Sequence, residues 1–145
     1  TMEGMIVYNR YNLLGTIEKN TDAGIYGRLD KTEELFGKKE LVETAAKEEI
    51  VTGPAKMRCF LEDEVREFDI EVMKVDQETA EINKGMMIRV TDEELLEKTG
   101  GIIQGMSGSP ILQNGKLIGA VTHVFVMDST KGYGIFAETM LEQLK

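Results

Sequence analysis

The chain has 145 residues, enough for one domain with a buried core, and its 41% hydrophobic and 30% charged residues are ordinary for a globular protein. A formal charge of -9 with no cluster of Lys and Arg argues against nucleic acid as a partner, because phosphates would be repelled. No apolar run is long enough to span a membrane, and the single cysteine, Cys59, excludes an internal disulfide and a multi-cysteine metal site.

Short strands are predicted for the first third of the chain. The runs "MIVY", "NLLGTIE" and "AGIYGRL" are separated by glycine-bearing turns, and each contains β-branched or aromatic residues. Residues 31 to 49 are rich in charge and have only weak helical spacing. This segment is therefore predicted to be a solvated loop with room for one helical turn.

The middle of the chain predicts a β-meander followed by a short helix. The alternating runs "TGPAKMRCFL" and "REFDIEVMKV" flank the acidic turn "EDE", and "GMMIRV" adds a strand. In "TDEELLEKTGG", Thr91 is a plausible N-cap with Glu94 three residues later, and Lys98 and Gly100 mark the end. A helix of about two turns is expected there.

The clearest hairpin is "SPILQNGKLIGAVTHVFV". Asn114 and Gly115 supply the positive φ values that a two-residue hairpin turn requires. A short helix, "AETMLEQLK", closes the chain. With no internal repeat and no low-complexity tract, one β-rich domain is predicted.

The sequence "GMSGSP" inside this region is a candidate nucleophile loop. Gly105 and Gly108 can adopt backbone conformations closed to other residues, so the Ser107 hydroxyl can stand on a sharp exposed turn. The N–H groups of Gly105 and Ser107 could then form an oxyanion hole, whereas Ser109, before Pro110, favours the start of a strand. The motif alone is about equally compatible with a glycine-rich turn without catalytic function.

A longer stretch carries a family resemblance. "LLEKTGGIIQGMSGSPILQNGKLIGAVTHVF" followed by "KGYGIF" resembles the peptidase domain of the sporulation stage IV protein B (SpoIVB-type) serine peptidases, and the resemblance extends through "LLGTIEKNTDAGIYGRL", "GPAKM" and "REFDIEVMKV". It implies an all-β fold, mainly β with short helices: a chymotrypsin-like β-barrel peptidase domain over residues 1–145, N-terminally incomplete. A membrane anchor, a PDZ domain and a histidine-bearing segment would precede it.

The resemblance also implies site residues. The nucleophile falls on Ser107, and the acid of a His/Asp/Ser triad falls on Asp92 in "VTDEELLEKTGG". Asp92 has a structural alternative, since the helix dipole favours an acidic residue in a first turn, and both roles can coexist. The family's histidine belongs to an upstream "GH" motif that this sequence does not contain. The chain alone is therefore expected to be nearly inactive, because a serine hydroxyl needs a base.

The single histidine, His123, has three competing interpretations. If the Asn114-Gly115 turn pairs regularly, Thr122 lies opposite Ser107 and His123 opposite Met106. His123 is then a packed strand residue, a wall of the substrate pocket, or a replacement base. Pleat alternation disfavours the base, since it points Thr122 rather than His123 to the face of Ser107.

The candidate substrate pocket comprises His123 and Thr122, with Tyr133 of "KGYGIF" at its rim. A turn before an edge strand is the alternative explanation of "KGYGIF". No cofactor and no metal site are predicted, because no ligand cluster or phosphate-binding glycine loop is present.

The functional hypothesis is a serine endopeptidase that cuts an extended segment of a protein substrate, itself included. The resemblance implies a setting between the two membranes around a developing forespore. There the peptidase would cut a membrane-anchored regulator and so trigger activation of the late mother-cell sigma factor. The alternative is a catalytically inert β-module that binds peptides along a strand edge.

Overall fold

Strands make up most of the regular structure in this computed structural model, which describes residues 13–37 and 39–145. The predicted strand "MIVY" lies outside the described residues. The elements, in chain order, are β1 (Gly15–Thr21), β2 (Gly24–Leu29), α1 (Thr32–Phe36), a 3₁₀ turn (Lys47–Glu49), β3 (Gly53–Leu61), β4 (Glu64–Val75), a second 3₁₀ turn (Ile82–Lys84), β5 (Met86–Val90), α2 (Glu93–Thr99), β6 (Pro110–Gln113), β7 (Lys116–Val124), β8 (Lys131–Phe136) and α3 (Ala137–Glu142).

Six strands close into an antiparallel barrel in the order β3-β4-β5-β8-β7-β6, with β6 returning to pair with β3. The alternating sequence of β4 gives this strand one face in the barrel core and one face outside. Phe68, Ile70 and Val72 are at most 2% exposed, while the acidic residues between them face outward. The predicted all-β class with short helices is confirmed. Within the described ranges, no helix reaches the length and apolar character that crossing a membrane requires.

Strands β1 and β2 form a separate two-stranded ribbon. Its turn packs against the barrel, where Ala23 and Tyr26 meet a small cluster containing Ala120 and Ile135. The Tyr26 hydroxyl donates to the Ala23 carbonyl at 2.8 Å, which holds this turn in shape. The ribbon therefore touches the barrel beside β7 and β8.

Both predicted tight turns are confirmed. Asn114 and Gly115 have φ of 52° and 76° between β6 and β7, and Glu62 and Asp63 have φ of 53° and 65° between β3 and β4. Positive φ at both central positions matches the right-handed twist of the strands that they join.

The predicted register of the β6–β7 hairpin is wrong by one residue. Leu112 pairs with Leu117 as expected, but the next pair is Ile111 with Gly119, so Ile118 is an extra residue on β7. A β-bulge of this kind shifts every later pair. The predicted pairing of His123 with Met106 does not occur, because contact between the two strands ends at Ser109 and Val121. On the opposite edge of β7, His123 pairs with Tyr133 of β8.

The helix α2 begins one residue later than predicted. Its N-cap is Asp92 rather than Thr91, because the Asp92 carboxylate accepts the N–H of Leu95. Its end is as predicted, with Gly100 in the left-handed conformation at φ 74°.

The charged segment 31–49 contains α1, a single exposed turn, as predicted. It is not wholly solvated, since Ala45 is buried and its N–H donates to the Leu117 carbonyl at 3.0 Å.

Candidate active site

The loop before β6 holds one exposed serine between two buried anchors. Met106 and Ser109 are 6% and 9% exposed, whereas Ser107 between them is exposed. Two backbone hydrogen bonds to β7 fix the end of the loop: Gly108 N–H donates to the Val121 carbonyl at 2.7 Å, and Val121 N–H donates to the Ser109 carbonyl at 3.0 Å. Ser109 thus leads into the strand, and Ser107 is the serine that solvent can reach.

Both glycines of the loop have backbone conformations that other residues rarely adopt. Gly105 has φ of 99° and Gly108 has φ of 90°. The chain can therefore turn sharply on each side of Ser107, as the sequence predicts.

Two N–H groups of this loop are free to receive a ligand oxygen. Across residues 13–37 and 39–145, the N–H groups of Gly105 and Ser107 have no hydrogen-bond acceptor, while those of Met106, Gly108 and Ser109 are all satisfied. Free backbone donors close to an exposed hydroxyl are what an oxyanion hole requires. The oxyanion hole itself stays a prediction.

The Ser107 hydroxyl is directed at β7. Its Oγ donates to the Thr122 carbonyl at 3.2 Å. Thr122 in turn donates through Oγ1 to the Asn83 carbonyl at 2.6 Å, and Asn83 Nδ2 donates to the Asp22 carbonyl in the turn of the ribbon at 2.8 Å. These three bonds link the serine to a part of the chain far away in sequence.

Ser107 lies in a cleft of about 360 Å³ between the ribbon and the barrel. The ribbon contributes its turn and the start of β2, and the barrel contributes Ser107, Thr122 and His123. His123 is exposed, as a pocket wall would be, and the Ser107 hydroxyl donates to the neighbouring carbonyl rather than to the imidazole. The structure brings these three predicted residues together, and their roles stay predictions.

Tyr133 is outside the cleft that Ser107 lines. It pairs with His123 through the backbone, and its ring packs against Phe125 at 4.7 Å between centroids, with the Lys84 ammonium 5.3 Å from the ring centre. Tyr133 therefore lies beside His123 on the neighbouring strand, and its place at the rim of the substrate pocket stays a prediction.

Asp92 is engaged in capping. Its Oδ1 accepts the N–H of Leu95 at 3.1 Å, and its Oδ2 accepts the N–H of Asp69 at 3.0 Å, which ties the start of α2 to β4. Asp92 does not line the Ser107 cleft. The predicted role of Asp92 as the acid of a triad is untested by this geometry and stays a prediction.

A larger cleft, of about 910 Å³, lies on the outer face of β3, β4 and the β6–β7 turn. Its walls carry charges of both signs, including Lys56, Arg58, Glu67 and Asp69. Volume alone does not identify a reactive site, and the smaller cleft contains the exposed serine beside free N–H donors. We therefore assign the candidate active site to the smaller cleft.

The sequence did not reveal two contributors to this cleft, the ribbon turn and Asn83. The β-branched and aromatic residues of the ribbon predict its strands, but the position of these strands against β7 depends on tertiary contacts. Asn83 lies in a short 3₁₀ turn whose sequence carries no catalytic motif. No local signal could have placed either beside Ser107.

Comparisons with known proteins point to one family. The sequence model described as SpoIVB peptidase S55 matches residues 1–141. No curated protein matches the chain significantly.

Among solved structures, the active form of the Rv3671c protease from M. tuberculosis has a TM-score of 0.63 and 13% identity, covering 90% of this chain and 56% of that one. Its serine-to-alanine mutant in the inactive form has a TM-score of 0.58 and 12% identity, covering 90% and 62%. A further inactive form gives 0.56 and 13%, covering 90% and 65%. At these identities the likeness shows the fold, which is a chymotrypsin-like β-barrel, and this chain spans little more than half of the active-form protease.

Proposed function

The chain belongs to the SpoIVB peptidase S55 family and is a serine peptidase domain, and we propose that Ser107 is its nucleophile. The observation that carries the proposal is the loop geometry: an exposed hydroxyl between two positive-φ glycines, beside the free N–H groups of Gly105 and Ser107. The oxygen that becomes negative during attack on a carbonyl would lie against those two donors.

Cleavage of a peptide bond by Ser107 requires a base that accepts the proton of its hydroxyl. Ser107 Oγ bonds to the carbonyl carbon of the scissile peptide while its proton passes to a base, and the base later returns a proton to the leaving amine. Within the described residues His123 is the sole imidazole, and the Ser107 hydroxyl does not donate to it. We propose that the base is a histidine outside these 145 residues, as the family resemblance implies.

The edge of β7 offers a place for an extended substrate. Its pairing with β6 ends at Val121 and Ser109, but β7 continues to Val124 with β8 on its other side. Among the described residues, the edge of residues 122–124 facing Ser107 is open, so a substrate segment can add to it as a strand. The Thr122 carbonyl has two lone pairs, so a substrate N–H can bond to it while the Ser107 oxygen stays in place.

The biological setting is part of the proposal. The family name, SpoIVB peptidase, implies a role in sporulation. We propose that the peptidase works between the forespore membranes, cleaves itself and cuts a membrane-anchored regulator upstream of the late mother-cell sigma factor. Support for this setting comes from the family resemblance alone.

Labelling with a fluorophosphonate probe tests the nucleophile. In a longer form of the protein that includes the upstream histidine, we expect covalent labelling that Ser107→Ala abolishes and that Ser109→Ala and His123→Ala retain. Ser109→Ala is the matched control, because it removes the same hydroxyl two residues away. Full loss in His123→Ala with the fold intact by circular dichroism, together with normal labelling when the upstream histidine is replaced, would show that His123 is the base.

The same experiment separates the rival function. If the unaltered protein is not labelled but still binds extended peptides, the serine loop is only a turn. The open edge of β7 then makes the domain a peptide-binding β-module.

A further inference from the structure

Thr122 occupies an irregular position in β7. On the β8 side, Val121 pairs with Gly134 and His123 with Tyr133, so Thr122 between them has no partner. On the other side, pairing with β6 has already ended at Val121. Neither neighbouring strand therefore fixes the orientation of the peptide group that accepts the Ser107 hydroxyl.

The Thr122 side chain supplies the missing constraint. Its Oγ1 donates to the Asn83 carbonyl at 2.6 Å, a short bond made at a half-buried position. Threonine is stiff about its first side-chain torsion, so fixing its hydroxyl also fixes its backbone. The Thr122 carbonyl, 3.2 Å from Ser107 Oγ, is thereby held through Asn83.

Asn83 is held in turn by the ribbon. Its side-chain amide donates to the Asp22 carbonyl at 2.8 Å, in the turn that joins β1 to β2. The 3₁₀ turn that contains Asn83 spans only Ile82–Lys84, and such short turns have little stability of their own. The Asn83 side chain thus ties this turn to the ribbon, while the rest of the turn contacts β7 and β8 of the barrel.

We propose that Thr122 and Asn83 are positioning residues that couple the β1–β2 ribbon to Ser107. The proposal rests on the proposed role of Ser107 as the nucleophile. A ribbon correctly seated on the barrel holds Asn83, Asn83 holds Thr122, and Thr122 holds the serine oxygen in reach of its reaction partner. A displaced ribbon breaks the Asn83–Asp22 bond and so loosens the two bonds that follow it.

The test compares variants that keep or remove one hydrogen-bonding group. Thr122→Val removes the hydroxyl at nearly constant shape, and Thr122→Ser restores it. Since a displacement of about 1 Å costs roughly 10²-fold in rate, we expect Thr122→Val to slow labelling of Ser107 by roughly 10- to 100-fold. Thr122→Ser should recover most of the rate.

Asn83→Asp tests the second bond, because an ionised carboxylate cannot donate to the Asp22 carbonyl. The Thr122 bond to the Asn83 main chain remains possible in this variant, so a smaller loss in rate is expected. Thr99→Val is the matched control: its hydroxyl also donates to a backbone carbonyl, that of Leu95 at 2.9 Å, but at the end of α2 and outside the Ser107 cleft. It should label at the normal rate.

The measurement is the dependence of labelling rate on the concentration of a small fluorophosphonate, in the longer form that includes the upstream histidine. If Thr122 positions Ser107, Thr122→Val should lower the limiting labelling rate at high probe concentration and leave the affinity for the probe unchanged. Recovery of the rate in Thr122→Ser would show that the hydroxyl is responsible, and not a general loss of structure. Absence of labelling in the unaltered protein would refute the nucleophile itself. Normal labelling of Thr122→Val, or of Asn83→Asp where Thr122→Val does not fold, would overturn the coupling alone.

Discussion

Replacing Gly108 by alanine isolates the backbone conformation of the nucleophile loop. Gly108 has φ of 90°, and no atom lies within 4 Å of the position that a Cβ would take. The substitution therefore adds no steric clash and costs only backbone strain, which is about 1–3 kcal/mol for a non-glycine residue in a sparsely populated region. For a chain of this size, that cost lowers Tm by roughly 3–10 °C.

Gly115 provides a matched control for the same strain. It has φ of 76°, also with nothing within 4 Å of a Cβ, and it lies in the β6–β7 turn at the far end of β6 from Ser107. We expect Gly108→Ala and Gly115→Ala to lose comparable stability. Only Gly108→Ala should slow labelling of Ser107, by about 10²-fold, because a relaxed loop moves the hydroxyl by an ångström or so.

Two measurements on the same samples decide the matter: thermal unfolding by circular dichroism and the rate of fluorophosphonate labelling in the longer form with the upstream histidine. If Gly108→Ala unfolds at a lower temperature but labels as fast as Gly115→Ala, the loop conformation does not position the nucleophile. The reasoning from positive φ to reactivity would then be refuted.

Asp92→Ala should cost about 1 kcal/mol in thermal unfolding through loss of the N-cap. Asp92→Asn should cost less, because its carboxamide oxygen can still cap the Leu95 N–H, although its NH2 group cannot accept the Asp69 N–H. Slower labelling in an Asp92→Asn protein that is still folded by circular dichroism would show that Asp92 also orients the base. Hydrogen bonds from Arg66 and then Lys98 hold the pKa of Glu94 down, from 4.5 to about 2. A lowered folded-state pKa stabilises the fold above the unfolded value, so this contribution is lost as pH falls from about 4.5 towards about 2. Glu94→Gln should therefore make Tm fall less steeply between about pH 4.5 and about pH 2. Glu97→Gln, on the same helix, is the control.

The strands and turns were predictable because local chemistry determines them. Asn114, Gly115 and Asp63 are of residue types that adopt positive φ readily, which sets where adjacent strands begin and end. The alternation of apolar and acidic residues along β4 likewise indicated which face enters the core. These elements need no knowledge of the rest of the chain.

The register of β7 was not predictable from its turn, because the bulge that shifts it shows only in the packing of the strand. Ile118 and Val121 are both in the core, at 1% and 2% exposure. Residues three apart lie on opposite faces of a regular strand, so burying both requires an irregularity. Counting pairs from Asn114-Gly115 assumed a regular ladder, and the one-residue error carried through to His123.

The position of the helix cap was missed for a different reason. Thr91 and Asp92 are both good caps, and the spacing to Glu94 favoured Thr91. The Asp69 N–H, donated from β4 to Asp92 Oδ2, is a tertiary contact that local spacing does not contain. Which of the two adjacent residues caps the helix thus depends on a contact with the neighbouring strand β4.

The candidate site likewise has one part that local sequence determines and one part that depends on tertiary contacts. Ser107, its glycines and its free N–H groups lie within the four residues 105–108, so their motif could be recognised from the sequence. The opposite wall of the cleft comes from the β1–β2 ribbon, and the link between the two runs through Asn83 and Thr122. A nucleophile whose loop is contiguous in the sequence can therefore still depend on a distant element for its position. In this protein, that element would be the ribbon packed on the barrel.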